Sequence, residues 1–192
     1  DEDYYWFYFN TSNGKKVVGT TKNINGKKYS FDGEGIMEFK WNTASFGEKT
    51  GTAWYGKLED GSLAKNKWIW NKPYDDAYLP GTREDVNDET ERWFRTDASG
   101  QLVKGQTKKI NSKWYAFDED GKMLYGWVAE DGDMCNGEDE WVNATYYFGS
   151  WEDGSMKTGW QKITVYDDST DKEDDFDYWF NFKSNGKKRA NA

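Results

Sequence analysis

Aromatic residues recur along this chain at fixed distances from a series of glycines. A Tyr or Phe lies six positions before each of seven glycines, and another aromatic residue lies seven positions before six of them. Met or Leu follows five of these glycines by two positions. The seven glycines are Gly14, Gly35, Gly61, Gly100, Gly121, Gly154 and Gly186. Because successive side chains of a strand point to opposite faces, each aromatic pair predicts a β-strand with a ring on either side.

The segment that precedes each aromatic pair predicts a turn and a partner strand. In the two shortest copies its centre is Asn25-Gly26 or Asn111-Ser112. Asn-Gly is the preferred pair for a tight type I′ turn, and Asn-Ser is a weaker version of it. Each copy is therefore predicted to be a β-hairpin, and the longer copies differ by a longer hairpin tip.

The composition favours a thin, extended architecture with a core of rings. Leu, Ile, Val and Phe together supply only 28 of the 192 residues, which is too few for a deep aliphatic interior. The 12 Trp, 13 Tyr and 11 Phe supply buried area instead. We predict an all-β fold, a β-solenoid of about seven stacked and elongated hairpin repeats. Residues 1–192 would form a single repeat domain whose last copy is truncated.

Charge and the rarer residue types narrow the range of functions. The chain has no histidine and one cysteine, Cys135, which excludes His-based catalytic pairs, His or Cys zinc sites and internal disulfides. The net charge of −9 and the absence of a basic stripe argue against nucleic acid as a partner. No apolar run is long enough to span a membrane. The sequence begins at Asp1 without a leader, and removal of a secretory leader stays open.

Acidic residues concentrate in the longer hairpin tips. Residues 71–92, 128–145 and 161–177 carry 20 of the 35 acidic side chains. Such inserts are typical of solvated loops on one face of a repeat protein. Calcium is an alternative for the Asp residues between positions 167 and 175 and for Asp131-Gly-Asp133, although neither has the spacing of an EF-hand loop. We predict no metal site and no cofactor.

The repeat resembles the choline-binding or cell-wall-binding repeat of Gram-positive surface proteins. Residues 117–127 and 151–161 carry it most clearly, each with Gly-x-Met followed by Gly-Trp. The resemblance covers residues 5–188 and extends to the glucan-binding repeats of streptococcal glucosyltransferases and the carbohydrate-binding repeats of clostridial toxins. It implies a left-handed β-solenoid in which ligands lie between neighbouring repeats.

The resemblance also implies where ligands bind. In the family, a ring on each strand of a hairpin, together with an aromatic residue and often a Met from the adjacent repeat, forms a cage for choline. A quaternary ammonium gains cation–π attraction there, and a sugar can stack on the same rings. The candidate pairs are Trp41 with Trp54, Trp68 with Trp93, Trp127 with Tyr147, and Trp160 with Trp179, and the candidate methionines are Met123 and Met156. The two short hairpins, with Thr20 and Lys28 or with Gln106 and Trp114, depart from this pattern and are weak candidates.

These features suggest a non-catalytic binding module that is secreted or associated with the cell wall. Its expected partner is choline-substituted teichoic acid or another surface polysaccharide. The alternative is a toxin-like or adhesin-like segment that recognises host glycans, and a purely structural spacer is a third reading. The exposed edges of the end repeats predict a homodimer. An enzyme is disfavoured because the acidic residues lie in variable tips and form no catalytic constellation.

Overall fold

The computed structural model describes residues 4–42, 53–73, 90–169 and 174–190. Within these ranges the regular structure is six antiparallel strand pairs and one short 3-10 helix, Glu140–Asn143. The strands are β1 Thr20–Ile24, β2 Lys27–Phe31, β3 Trp41–Asn42, β4 Ala53–Trp54, β5 Trp68–Asn71, β6 Arg92–Arg95, β7 Gln106–Ile110, β8 Lys113–Phe117, β9 Trp127–Val128, β10 Tyr146–Tyr147, β11 Gly159–Asp167 and β12 Asp174–Phe182. The prediction of an all-β fold is confirmed.

The chain divides into two compact units. The first covers Asp1–Val103 and holds β1 to β6, and the second covers Lys104–Ala192 and holds β7 to β12 with the 3-10 helix. Within each unit every strand pairs with its neighbour in sequence, so the basic element is a hairpin.

The two short hairpins have the predicted turn. Ile24 pairs with Lys27 in the first, and Ile110 pairs with Lys113 in the second. Both residues of each turn have positive φ, at 52° and 80° for Asn25 and Gly26 and at 49° and 69° for Asn111 and Ser112. Positive φ at both central positions defines the type I′ turn, whose twist matches that of the flanking strands.

Each glycine of the repeat frame marks a second turn, after which the chain returns along the hairpin. The amide three residues after the glycine donates to a carbonyl of the hairpin's second strand, as Glu38 does to Ser30 at 2.8 Å and Leu124 to Ala116 at 2.8 Å. The turns are further held by a carboxylate, as when Asp118 Oδ1 accepts hydrogen bonds from the amides of Asp120 and Lys122.

Consecutive repeats within a unit contact each other at these glycines. The residue two positions after one glycine lies against the next glycine of the frame. A Cβ added to Gly100 would lie 2.6 Å from Leu63 Cδ2, and one added to Gly154 would lie 2.6 Å from Met123 Cε. At Gly61 and Gly154 the preceding repeat occupies the space of a side chain, whereas the other five frame glycines also have positive φ, which favours glycine by itself.

The hydrophobic clusters draw on rings from adjacent repeats. Of the residues six positions before the glycines, Tyr55, Phe94 and Phe148 are buried, whereas no residue seven positions before is buried. The residues six positions before the glycine therefore face the core more than those seven positions before it. The sequence analysis did not identify a further buried position four residues before the glycine, which holds Phe31, Thr96, Phe117 and Phe182.

Several sequence predictions fall outside the described residues. Most of the insert at 71–92, including Pro80, lies in the range 74–89, and Asp171 lies in the range 170–173. Among the residues that are described, no group of three or more acidic or cysteine side chains is placed to hold a metal ion.

Candidate functional site

Two of the four predicted aromatic pairs face each other directly across a hairpin, and in the first of these one ring is closed to solvent. Trp41 lies opposite Trp54 with the ring centroids 4.8 Å apart, and Phe94 of the following repeat contacts Trp41 at 4.9 Å. Trp41 is 0% exposed and donates its indole N–H to the carbonyl of Lys72 at 2.6 Å. Edge-to-face rings at this distance pack directly on each other and leave no space for a ligand between them.

The second direct pair lies at the equivalent place in the second unit. Trp127 faces Tyr147 with ring centroids 4.8 Å apart, and Phe180 contacts Trp127 at 5.0 Å. Trp127 is buried, and the ammonium of Lys188 lies 5.4 Å from the centroid of its ring. A cation of the chain therefore already occupies this aromatic cluster.

The rings of Trp68 and Trp93 are in contact, at 6.3 Å, but they are not direct partners. Trp93 lies opposite Trp70, which is closer at 5.2 Å, and Trp68 lies opposite Arg95. The guanidinium of Arg95 lies 5.5 Å from the Trp68 ring centroid. Trp70 was missed because Trp68 alone was aligned with the repeat frame.

The predicted pairing of Trp160 with Trp179 across the hairpin is wrong. Trp160 lies opposite Asn181, and Trp179 lies opposite Lys162. The inner face of β11 and β12 fixes this register, because Ile163 and Val165 are buried there. Both tryptophans are on the outer face and are strongly exposed, at 68% and 64%. The pairings supposed for the short hairpins are also wrong, since Thr20 lies opposite Phe31 and Gln106 opposite Phe117.

A cavity of about 620 Å³ opens in the second unit, beside one of the short hairpins. Trp114, Phe148 and Met156 line it, with Gln106 at the position where long hairpins carry Trp. Trp114 is 43% exposed, so its ring is available at the surface. The volume is within the range of small-molecule sites, roughly 300–1,000 Å³. Of the predicted site residues, the structure places Met156 in this cavity.

Carboxylates surround the apolar part of this cavity. Glu119, Asp131 and Asp133 line it, and so do Asp118 and Glu130, which have lysine partners. Lys187 Nζ donates to Glu130 Oε1 at 2.7 Å, and this contact lowers the pKa of the Glu130 carboxyl. The cavity thus combines ring faces and a thioether with negative charge at its edge, which suits a ligand that is both apolar and cationic.

The sequence analysis treated the short hairpin with Gln106 and Trp114 as a weak candidate, yet this hairpin contributes to the cavity. Gln106 lines the cavity at the frame position where Trp41 and Trp127 are buried rings. A signal was present in the sequence, since Trp114, Phe148 and Met156 all occupy regular frame positions. The sequence could not show that rings supplied by both strands of a hairpin, as at Trp41 and Trp127, pack against each other and leave no space for a ligand.

The structure therefore defines a class of protein: hairpin repeats that contact each other through glycines and enclose aromatic clusters. Residues 103–134 match the family model described as "Choline-binding repeat". The resemblance seen in the sequence is confirmed by this match.

Curated relatives are streptococcal enzymes of much greater length. Glucosyltransferase-S of Streptococcus mutans is 30% identical over 177 residues, which cover 85% of this chain and 10% of the relative. Glucosyltransferase-I of Streptococcus downei is 27% identical over 157 residues, which cover 79% of this chain and 9% of that relative. The chain thus spans about a tenth of the length of the relatives it matches.

Solved structures show the same fold. Choline binding protein F of Streptococcus pneumoniae matches with a TM-score of 0.59 at 21% identity, over 98% of this chain and 50% of that one. The modular autolysin LytC of the same organism matches with a TM-score of 0.57 at 20% identity, over 97% of this chain and 31% of that one. No helix in the described part of this chain is both long and apolar enough to cross a membrane.

Proposed function

We propose that this chain is a non-catalytic module that attaches an extracellular or cell-wall-associated protein to a surface polymer through choline or sugar groups. The observation that carries the proposal is the cavity lined by Trp114, Phe148 and Met156. The names of the similar solved structures support choline as the ligand, and the names of the curated relatives support a glucan.

The charge around the cavity favours the choline reading over the glucan reading. Three carboxylates at the cavity, Glu119, Asp131 and Asp133, would attract a trimethylammonium group, and a neutral sugar gains nothing comparable. The ring of Trp114 offers that group a cation–π contact of about 0.5–2 kcal/mol. Because these carboxylates are at the surface, the attraction should weaken as salt is added.

The strongly exposed Trp160 and Trp179 are a second place where the proposed module would contact its polymer. They share the outer face of β11 and β12 with Lys162, Thr164 and Asp177, which supply hydrogen-bonding groups. Flat aromatic faces bordered by polar side chains suit the stacking of sugar rings. Trp54 and Trp93, which are partly exposed, remain candidates for the same role.

The proposal extends to architecture and assembly. The stacked repeats of each unit are consistent with one continuous β-solenoid over residues 1–192, and the end repeats would form a homodimer. Sedimentation at high protein concentration tests the dimer, and a strictly monomeric result contradicts it. Turnover of wall polysaccharide by the purified chain would contradict the non-catalytic role.

The binding test is a titration followed by intrinsic tryptophan fluorescence. Choline chloride is compared with 3,3-dimethyl-1-butanol, which has the same shape without the charge, and with glucan oligosaccharides. We expect choline to bind and Trp114→Ala to weaken it about 3- to 30-fold, the equivalent of the lost cation–π contact. Trp6→Ala is the control, because this half-exposed ring lies in the first unit.

Each ligand arm has a distinct consequence for the proposal. A response to glucan alone would assign the module to sugars, and binding of host-type oligosaccharides alone would favour the adhesin-like alternative. No response to either ligand class at tens of millimolar would overturn the binding function.

A further inference from the structure

The side chain of Lys188 extends into the aromatic cluster around Trp127. Its ammonium lies 5.4 Å from the centroid of the Trp127 ring and donates to the carbonyls of Trp141 at 2.8 Å and Val142 at 3.2 Å. The Lys188 backbone is held as well, because its amide donates to the carbonyl of Thr145 at 2.7 Å.

These contacts form a binding site for an ammonium group. The ring supplies the electron-rich face that attracts a cation, and the two carbonyls at the end of the 3-10 helix accept its N–H groups. Burial lowers the pKa of Lys188 by removing the ammonium from water, and a nearby Cys135 acts in the opposite direction. The ring and the carbonyls compensate for that lost hydration.

Lysine at this position departs from the pattern of the interior repeats. Lys188 lies two residues after Gly186, where the interior copies have Met or Leu. Met123 and Met156 use this position to pack against the glycine of the next repeat. Lys188 instead directs a charged group towards the ring that opens the hairpin of the preceding repeat.

We propose that Lys188 is a built-in cationic ligand of the Trp127 cluster and closes this cluster to external ammonium groups. An external cation would then bind in the open cavity beside Trp114, and this part of the proposal rests on the proposed function. Lys188 would thereby determine which of two related aromatic clusters accepts a ligand.

Chemical rescue of a truncated lysine tests the proposal. Lys188→Ala removes the ammonium and its three-methylene stem, and the primary alkylammonium n-butylammonium tests whether an ammonium group from solution can take its place. We expect its Tm to fall by roughly 3–8 °C. Tens of millimolar n-butylammonium chloride should restore at least half of this loss, relative to NaCl at equal ionic strength. Tetramethylammonium should restore less, because it has no N–H group for the carbonyls of Trp141 and Val142.

Two further variants separate an ammonium site from ordinary packing. Lys188→Met keeps the bulk of the side chain and should lose stability without being rescued. Lys183→Ala, which removes an exposed lysine of the same unit, should respond to n-butylammonium no more than the wild type does. The proposal is overturned if Lys188→Met is as stable as the wild type, or if n-butylammonium helps Lys188→Ala no more than it helps the wild type.

The readouts keep this proposal distinct from the proposed function. Choline binding by the wild-type chain reports on the cavity beside Trp114, whereas the difference between Lys188→Ala and wild type in n-butylammonium reports on Lys188. If the wild type did not bind choline but n-butylammonium restored the stability of Lys188→Ala, the choline hypothesis would be contradicted and the role of Lys188 would be supported.

Discussion

Two repeats of this chain fill the same buried positions with opposite chemistry. The positions lie five residues before, three after and seven after the glycine of the frame. They hold Ser30, Glu38 and Asn42 around Gly35, and Ala116, Leu124 and Val128 around Gly121. All six side chains are buried, with exposures of 0–7%. The repeat geometry thus determines which positions are buried. It does not determine whether a buried position holds a polar or an apolar side chain.

The polar set around Gly35 is stabilised by hydrogen bonds among its own members. Asn42 Nδ2 donates to Glu38 Oε2 at 2.7 Å and to Ser30 Oγ at 3.3 Å, and Ser30 Oγ donates to Glu38 Oε1 at 3.2 Å. Burial raises the pKa of Glu38, while the hydrogen bond from Ser30 lowers it. Burial, together with the charge of Glu38, also raises the pKa of Tyr55 to about 12.

The apolar set around Gly121 needs no partners and forms a cluster with Phe148. Its three side chains also line the cavity beside Trp114. The comparison teaches that the apolar surface needed for a ligand arises where this triad is apolar. In the repeat around Gly35 the equivalent side chains are polar and hydrogen-bond to one another.

The largest effect is expected from breaking the polar triad at one position. Glu38→Leu should lower the free energy of unfolding by about 2–6 kcal/mol, because Ser30 and Asn42 would remain buried without this acceptor, at about 1–3 kcal/mol each. The triple variant Ser30→Ala, Glu38→Leu, Asn42→Val copies the apolar set. It should stay within about 1 kcal/mol of wild type, since replacing a whole buried network is often neutral.

Urea unfolding followed by circular dichroism measures both variants. Glu34→Leu, the same change at an exposed position of the same repeat, should shift the unfolding free energy by no more than about 0.5 kcal/mol. If the triple variant were as unstable as Glu38→Leu alone, the apolar triad could not replace the polar triad in this repeat.

Local features of this fold could be predicted from the sequence, and long-range ones could not. Asn25-Gly26 predicts its hairpin because a type I′ turn depends on two adjacent residues. The burial of Trp41 depends on Trp54 and Phe94, which are brought together only by the stacking of repeats. The cavity likewise is lined by residues that are far apart in the sequence, from Gly105 to Asn185, and the register at Trp160 depends on the buried face of its hairpin. Patterns identify ring positions, and packing decides which rings stay accessible.

A smaller effect is expected where the two repeats contact the next one. A Cβ at Gly154 would meet Met123 Cε at 2.6 Å, and a Cβ at Gly61 would meet Met37 Cε at 2.7 Å. Gly154→Ala and Gly61→Ala should each lose about 1–3 kcal/mol by overpacking, measured by urea unfolding. The double variant Gly154→Ala, Met123→Ala should lose less than the two single losses combined, because the obstructing side chain is gone.

Gly33→Ala is the matched control for this series, because a Cβ there meets nothing within 4 Å. Its stability should be close to that of wild type. If Gly154→Ala and Gly33→Ala behaved alike, close contact between repeats would not be the reason for glycine in the frame.

The smallest effect concerns the carboxylate that precedes these two glycines, Asp60 in one repeat and Asp153 in the other. Burial would raise the pKa of Asp153, but Ser155 Oγ donates to Oδ1 at 2.7 Å and Lys157 Nζ to Oδ2 at 2.9 Å, and together they lower it to about 2. A carboxyl whose pKa is lowered by folding stabilises the folded state above its ordinary pKa of about 3.9, and this contribution disappears as pH falls towards 2.

Because the side chain of Asp153 is half exposed, Asp153→Asn should cost about 1 kcal/mol at pH 7. Asp60→Asn should cost less, since its lysine partner is 3.9 Å away. Urea unfolding between pH 2 and 7 should show the Asp153→Asn and wild-type curves converging below about pH 3, with Glu152→Gln unchanged throughout. A deficit that persisted at pH 2 would mean that Asp153 acts through the shape of its turn and not through its charge.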